Sequence, residues 1–195
     1  MAQLGVYVHF PWCRKLCPYC DFAVEVTPAE PPHDAYLAAV LAEFEARAAT
    51  FAGPPLASIY FGGGTPSRWR PDCLAQLITT VAARFAAPPA LEITLEANPI
   101  DCTAANLDAW SAAGINRISI GVQALTAEEL VRLGRDHRMG DGVAAAERVA
   151  RDGRFVVSCD IILGTPTRGA AVPPETWVPV LLALPIHHSS ALRSS

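Results

Sequence analysis

The sequence predicts an α/β fold of parallel strands joined by crossover helices. Three observations carry that prediction. Short runs rich in β-branched and aromatic residues alternate with longer stretches of helical apolar spacing, about five times over. Each strand-plus-helix unit takes roughly 30 to 40 residues, ample for a parallel crossover. The polar and glycine-rich residues stand just after the strands, where folds of this kind build their sites. A barrel and a doubly wound sheet both satisfy these observations, and at this point both stay open.

The first strand is read at 4–9, LGVYVH, and the loop Cys13-Arg14-Lys15-Leu16-Cys17-Pro18-Tyr19-Cys20 follows it. Pro11 and Pro18 keep that loop non-helical. Residues 23–33 read as a Pro-rich connector. A helix is expected over 34–49, with Asp34 as its cap and Leu37, Val40, Leu41 and Phe44 on one face. Gly53-Pro54-Pro55 closes that unit. The second strand, 57–61, runs into Gly62-Gly63-Gly64-Thr65-Pro66 and a helix at 71–86 that starts on Pro71. The third, 91–95, ends in Glu96-Ala97-Asn98-Pro99, before a helix at 103–113 stopped by Gly114. The fourth, 116–121, leads to Val122-Gln123 and to a short helix at 126–133 with Thr126 and Glu129 as a capping box. A further helix spans 141–152. The fifth strand, 155–161, precedes a helix at 174–184, and 186–190 begin a sixth strand.

A chain of 195 residues, 51% hydrophobic, is long enough for one domain with a real core. A net charge of −4 offers no basic field for nucleic acid or a membrane surface. No run of about 18 apolar residues predicts a membrane helix, and residues 1–12 lack the pattern of a signal peptide. Six cysteines, three clustered and three scattered, are too sparse for a disulfide scaffold, so a reducing cytoplasm is expected.

The clustered thiols are the strongest chemical signal. A disulfide uses two cysteines and a structural zinc site wants four ligands. Three thiolates suit three irons of a four-iron cluster, with Arg14 and Lys15 nearby to favour the charged form. A zinc site completed by His9 or a distant cysteine, and a redox pair with a spare thiol, are the alternatives. The glycines at 62–64 let a ligand approach the backbone, or else make a tight turn. Glu96 can accept from a ribose or an ammonium, Gln123 can donate and accept, and Arg135 offers a planar fork for a carboxylate. Each has a purely structural role as its alternative. Asp160, in an apolar strand, needs a partner or a ligand. Cys73, Cys102 and Cys159 are expected to be inert core residues, and His137 a surface histidine.

Taken together, YVHFPWCRKLCPYCDF, YFGGGTPS, LEANP, RISIGVQ and LGRDH resemble the radical S-adenosylmethionine (SAM) enzymes. Within these the chain is similar to the oxygen-independent coproporphyrinogen III oxidases and their relatives, the HemW-type haem chaperones. The resemblance runs from Leu4 to about His188. It implies a partial (β/α)6 barrel, with residues 1–190 as an incomplete core domain and 191–195 as a divergent tail. It implies that Cys13, Cys17 and Cys20 hold a [4Fe–4S] cluster. Tyr7, Tyr19, Gly63, Gly64, Thr65, Glu96, Gln123, Arg135 and Asp160 match positions that line the SAM pocket. One-electron cleavage of SAM to a 5′-deoxyadenosyl radical is the chemistry implied.

Three features refine the resemblance. The oxidases carry a further cysteine two residues past the third, where this chain has Phe22. Phe22 and the short stretch before Leu4 point to the haem-chaperone branch, with haem or a porphyrin, a haem-accepting protein and an electron donor as partners. His9 is the first histidine to test against haem. Arg168 stands where the family has a glutamine. Relatives are expected to be about twice as long and to have a C-terminal domain, so the chain reads as truncated or frameshifted. An oxidative decarboxylase, and a zinc-binding or inactive fragment, are the competing expectations.

Overall fold

A computed structural model describes residues 2–165 and 173–193. Strand β1 (Leu4–Phe10) leads to two short strands, β2 (Trp12–Cys13) and β3 (Glu25–Val26), on either side of the cysteine loop. There follow α1 (His33–Ala48), β4 (Leu56–Gly63), α2 (Pro71–Arg84), β5 (Glu92–Ala97), α3 (Ala104–Ala112) and β6 (Arg117–Gln123). Then come α4 (Ala127–Arg132), α5 (Asp141–Asp152), β7 (Val156–Leu163), α6 (Pro174–Ala183) and β8 (His188–Arg193). Pro166, Thr167 and Arg168 lie outside the described residues.

Six strands form one sheet in the order β1-β4-β5-β6-β7-β8, every neighbouring pair parallel. That order decides between the two architectures. A doubly wound sheet reverses its strand order part-way. Here each crossover moves one place in the same direction, as around a barrel. Among the described residues β1 and β8 are not paired with each other, so the strands make an open arc of barrel wall. The sixth strand extends past the expected 190, pairing with β7 from Ser158↔His188 to Leu163↔Arg193.

Strand alternation sorts the side chains. Ile59, Phe61, Leu95, Ile118, Ile120, Val157 and Cys159 are buried on one face. They share a continuous core with Leu74 and Leu77 of α2, Trp110 of α3 and Val149 of α5. Cys73, Cys102 and Cys159 are all within that core, as expected, and burial pushes the thiols of Cys102 and Cys159 up to about 12. At the base of the cysteine loop Phe10 packs between Trp12 and Trp69, with ring centroids 5.2 and 5.3 Å away.

Two local expectations need correction. Asp34 does not cap α1, which starts one residue earlier; instead its carboxylate takes a two-pronged bond from Arg70, at 2.7 and 3.1 Å. The presumed connector 23–33 contains β3, which pairs in parallel with β2. Two residues carry no hydrophobic pattern; the pairing rests on backbone bonds, Glu25 N to Pro11 O at 2.8 Å and Thr27 N to Cys13 O at 2.9 Å. The Thr126 cap is present, its hydroxyl accepting from Glu129 N at 3.3 Å. No helix among the described residues is long and apolar enough to cross a membrane.

Candidate functional site

The strand ends and the cysteine loop enclose a cavity of about 720 Å³. All three clustered thiols line it, together with Tyr19, Gly63, Gly64, Thr65, Glu96, Gln123, Arg135 and Asp160. Of the residues matched to the SAM pocket, Tyr7 is off its wall, and Gly62 of the glycine run is too. Tyr7 stacks on Tyr60, with centroids 6.0 Å apart, and Tyr60 does line the cavity.

The loop is tied down on both sides of the thiols by groups other than the thiols. His9 Nε2 donates to Ala23 O at 2.7 Å, and its Nδ1 meets the Tyr7 hydroxyl at 3.2 Å. Tyr36 donates its hydroxyl to the His9 carbonyl. Arg68 holds Thr27 O at 3.0 Å and Ala29 O at 2.7 Å. Arg14 pairs with Asp101 at 3.3 Å, and Ser67 Oγ donates to the same carboxylate at 2.7 Å. Two readings change as a result. His9 has both ring nitrogens engaged and buttresses the loop. Arg14 turns to Asp101 because that carboxylate is buried and needs a cation. The cations beside the sulfurs are instead Arg68, which acts on Cys13, and Arg135, whose Nη1 is 4.0 Å from Cys17 Sγ.

Gly64 explains the glycine-rich strand end. A Cβ there would sit 2.8 Å from the Pro11 carbonyl and 3.0 Å from Cys13 Sγ. Only a residue without a side chain lets β4 close so tightly on the first cysteine. Thr65 Oγ1 also reaches Cys13 Sγ, at 3.5 Å.

The sulfurs form no disulfide. Burial pushes the Cys13 thiol up; Thr65 and Arg68 oppose this, while the neighbouring Cys20 and Cys17 thiols add to it. Clustered thiols become a stable thiolate set once positive metal lies among them. Among the described residues no three His, Cys, Asp or Glu side chains group closely enough for one metal ion. A four-iron cube makes no such demand, since each thiolate binds its own iron. The donor set fits that cluster.

Glu96, Asp160 and Arg135 line the same space. Glu96 accepts from Tyr60 Oη at 2.8 Å and from Gly63 N at 3.2 Å. Its burial raises it above the ordinary value of 4.5, despite those two donors. Asp160 accepts from Ser119 Oγ at 2.9 Å and Ser190 Oγ at 2.5 Å. Arg135 Nη1 donates to Tyr19 Oη at 3.3 Å and Nη2 to Gly121 O at 3.4 Å. Its buried Nε has no partner among the described residues. No ion pair to Arg135 occurs among the described residues, although the charge of the adjacent Asp136 acts on it.

The raised pKa of Glu96 bears on stability. Between 4.5 and the raised value of Glu96 the unfolded chain has released its proton while the folded chain keeps it. Stability is therefore full below that window and falls as pH rises through it. Glu96→Gln, which keeps an acceptor and loses the charge, is expected to flatten this fall. Thermal melts between about pH 4.5 and 8 check it.

Sequence reading missed Tyr60, Ser119 and Ser190, all on the cavity wall. Alternation could have found one of them: Tyr60 lies two residues before Gly62, on the same strand face. His137 is a correction. It is only 5% exposed, because its Nε2 meets the Val122 carbonyl at 3.1 Å.

Comparison with known proteins agrees with this geometry. Residues 7–170 match the model of the radical SAM superfamily. The haem chaperone HemW of Escherichia coli is 38% identical over 166 residues, covering 85% of this chain and 44% of that one. The mitochondrial radical S-adenosyl methionine domain-containing protein 1 of Mus musculus is 36% identical over 188 residues, covering 95% of this chain and 41% of its own. The solved structure of the E. coli coproporphyrinogen III oxidase HemN matches with a TM-score of 0.83 at 28% identity, covering 99% of this chain and 44% of that one. The methyltransferase TsrM of Kitasatospora setae, at 16% identity and a TM-score of 0.62, shares the fold. The chain spans less than half the length of these relatives. It is similar to the HemW-type proteins, and it belongs to the radical SAM superfamily.

Proposed function

We propose that Cys13, Cys17 and Cys20 hold a [4Fe–4S] cluster, that SAM binds against the strand ends beside it, and that the chain handles haem in the manner named for its HemW relatives. One observation carries the cofactor reading. Three thiols outside any disulfide share a cavity with the Arg135 guanidinium, which forms no ion pair among the described residues, and with the half-buried Glu96 carboxylate. SAM brings both a carboxylate and an ammonium to such a pair. Bound together, cluster and SAM supply one-electron cleavage of the sulfonium. Arg135 would then orient the carboxylate, Glu96 and Asp160 would accept from ammonium or ribose, and Tyr19 and Gly64 would narrow the space around the loop. An electron donor is required as a partner, and six free thiols favour a reducing compartment such as the cytoplasm.

The haem reading is supported by the cavity mouth. Leu16, Phe22 and Leu192 line the cavity and are each more than half exposed, at 58%, 65% and 60%. They offer an apolar rim for a flat macrocycle. Anaerobic reconstitution is expected to give about four irons per chain and SAM binding by equilibrium dialysis. Haem titration of the loaded protein should then give saturable binding, weakened by Phe22→Asp. Stoichiometric zinc without iron would sink the cofactor reading. Turnover of coproporphyrinogen with release of 5′-deoxyadenosine would favour the oxidase reading instead, against which Phe22 stands in place of a cysteine.

Arg135→Met should weaken SAM binding about 10- to 100-fold, the loss typical of a charge-assisted bond. Iron content should stay unchanged, since the arginine is not a ligand. Dialysis against labelled SAM gives the number.

A further inference from the structure

The end of β6 is distorted in a way that catches one buried side chain. Against β7, Ile120 pairs with Cys159 but Gln123 pairs with Ile161, so β6 carries one extra residue there. Gln123 has φ of 64°, the positive value among the described non-glycine residues. Ala124 N bonds Val122 O at 2.7 Å, closing a three-residue turn around Gln123. A γ-turn of this hand is rare and strained. The turn folds the Gln123 side chain back over Gly121, where a Cβ would meet its Nε2 at 2.7 Å, and into the cavity wall.

Something must hold a strained turn in place. The Val122 carbonyl accepts a second bond, from His137 Nε2 at 3.1 Å. Since a carbonyl only accepts, Nε2 carries the proton. Burial and then the Arg135 charge lower the His137 pKa, favouring a neutral ring, and its Nδ1 is an acceptor without a partner among the described residues. Val122 is pinned from its other side by α5. A Cβ on Gly142 would come within 2.8 Å of Val122 Cγ1. The loop that carries His137 also carries Arg135, which itself bonds Gly121 O at 3.4 Å.

We infer that His137 is a positioning residue: its bond to the Val122 carbonyl holds the strained turn that aims Gln123 into the cavity and fixes the loop that delivers Arg135 beside it. The effect on ligand binding rests on the SAM reading above; the brace itself does not.

The test compares His137→Leu, which removes the donor, with His137→Gln, whose amide nitrogen can occupy the Nε2 position. In the reconstituted leucine variant SAM affinity should fall about tenfold, the usual scale for a buried acceptor left unmade. Iron content should not change, and the glutamine variant should remain within about threefold of the parent. Hydrogen exchange at the Ala124 amide should quicken at least about tenfold in the leucine variant and not in the glutamine variant. Gln123→Gly, which removes the strain, should raise Tm by about 2–4 °C while weakening SAM binding. Equal behaviour of the leucine and glutamine variants, or no rise in Tm, overturns the inference. If the parent holds four irons and binds no SAM, the cavity reading fails while Ala124 exchange still decides for or against the brace. Should His137→Leu not fold, His137→Asn takes its place, its amide too short for Val122 O, with the same losses expected.

Discussion

Cys17→Ala is expected to reduce reconstituted iron from about four per chain to near background, and SAM binding with it. Each clustered thiolate is assigned its own iron, so losing one removes a corner of the cube. Cys13→Ala and Cys20→Ala should do the same. Cys17 is a cleaner choice than Cys13, whose sulfur is reached by Thr65 Oγ1 at 3.5 Å and crowded by Gly64. The loop itself should survive. It is tied by His9 to Ala23, by Arg14 to Asp101 and by Arg68 to Thr27 and Ala29, none of which uses a sulfur. Far-ultraviolet dichroism and Tm of the metal-free variant should therefore match the metal-free parent. Iron and acid-labile sulfide analysis gives the primary result. A variant that keeps four irons would remove that residue from the ligand set.

The largest effect on the fold is expected from Phe10→Ala. Phe10 has no exposed surface and lies against Trp12, Trp69 and Tyr36, with centroids 5.2, 5.3 and 5.8 Å away. Rigid aromatic neighbours cannot collapse into the space it leaves. The substitution should cost about 3–5 kcal/mol, read from urea denaturation. Trp12 and Trp69 provide the fluorescence signal. Pro11 and Cys13 follow directly, so the damaged chain should also take up iron less completely. A loss under about 1 kcal/mol would mean that the aromatic cluster is far looser than its geometry.

Much of this fold is written in its patterns. Each of the helices and long strands is signalled by periodicity and by punctuation such as Pro71 and Gly114, with boundaries shifted by a few residues. What periodicity omits is strand order, and it was order that separated a barrel arc from a doubly wound sheet. Strand ends were also underestimated. β4 runs through Gly62 and Gly63 and β5 through Glu96, because parallel pairing and ligand-facing walls tolerate residues of poor strand propensity. The cavity residues stand where motif and strand end coincide. Three kinds of residue escaped: Tyr60, Ser119 and Ser190, which act through face and register; Arg14, drawn off by a buried carboxylate distant in sequence; and His137, buried by a carbonyl that a strand irregularity sets free. All three depend on contacts between segments, which no local pattern records.

The steady advance of the sheet from β1 to β8 has a consequence for how the molecule is made. Every strand after the first main pair docks on one already present, so the wall can grow in the direction of synthesis with no strand inserted between earlier ones. The cysteine loop emerges early, bounded by β1 and β4. Asp160 must wait for β7, and its Ser190 partner for β8, the last strand described. Exposed thiols thus precede the wall that encloses them, and metal delivered to the nascent chain would meet ligands before it met a finished cavity. The timing of loading relative to synthesis is a property of strand order as much as of the thiols themselves.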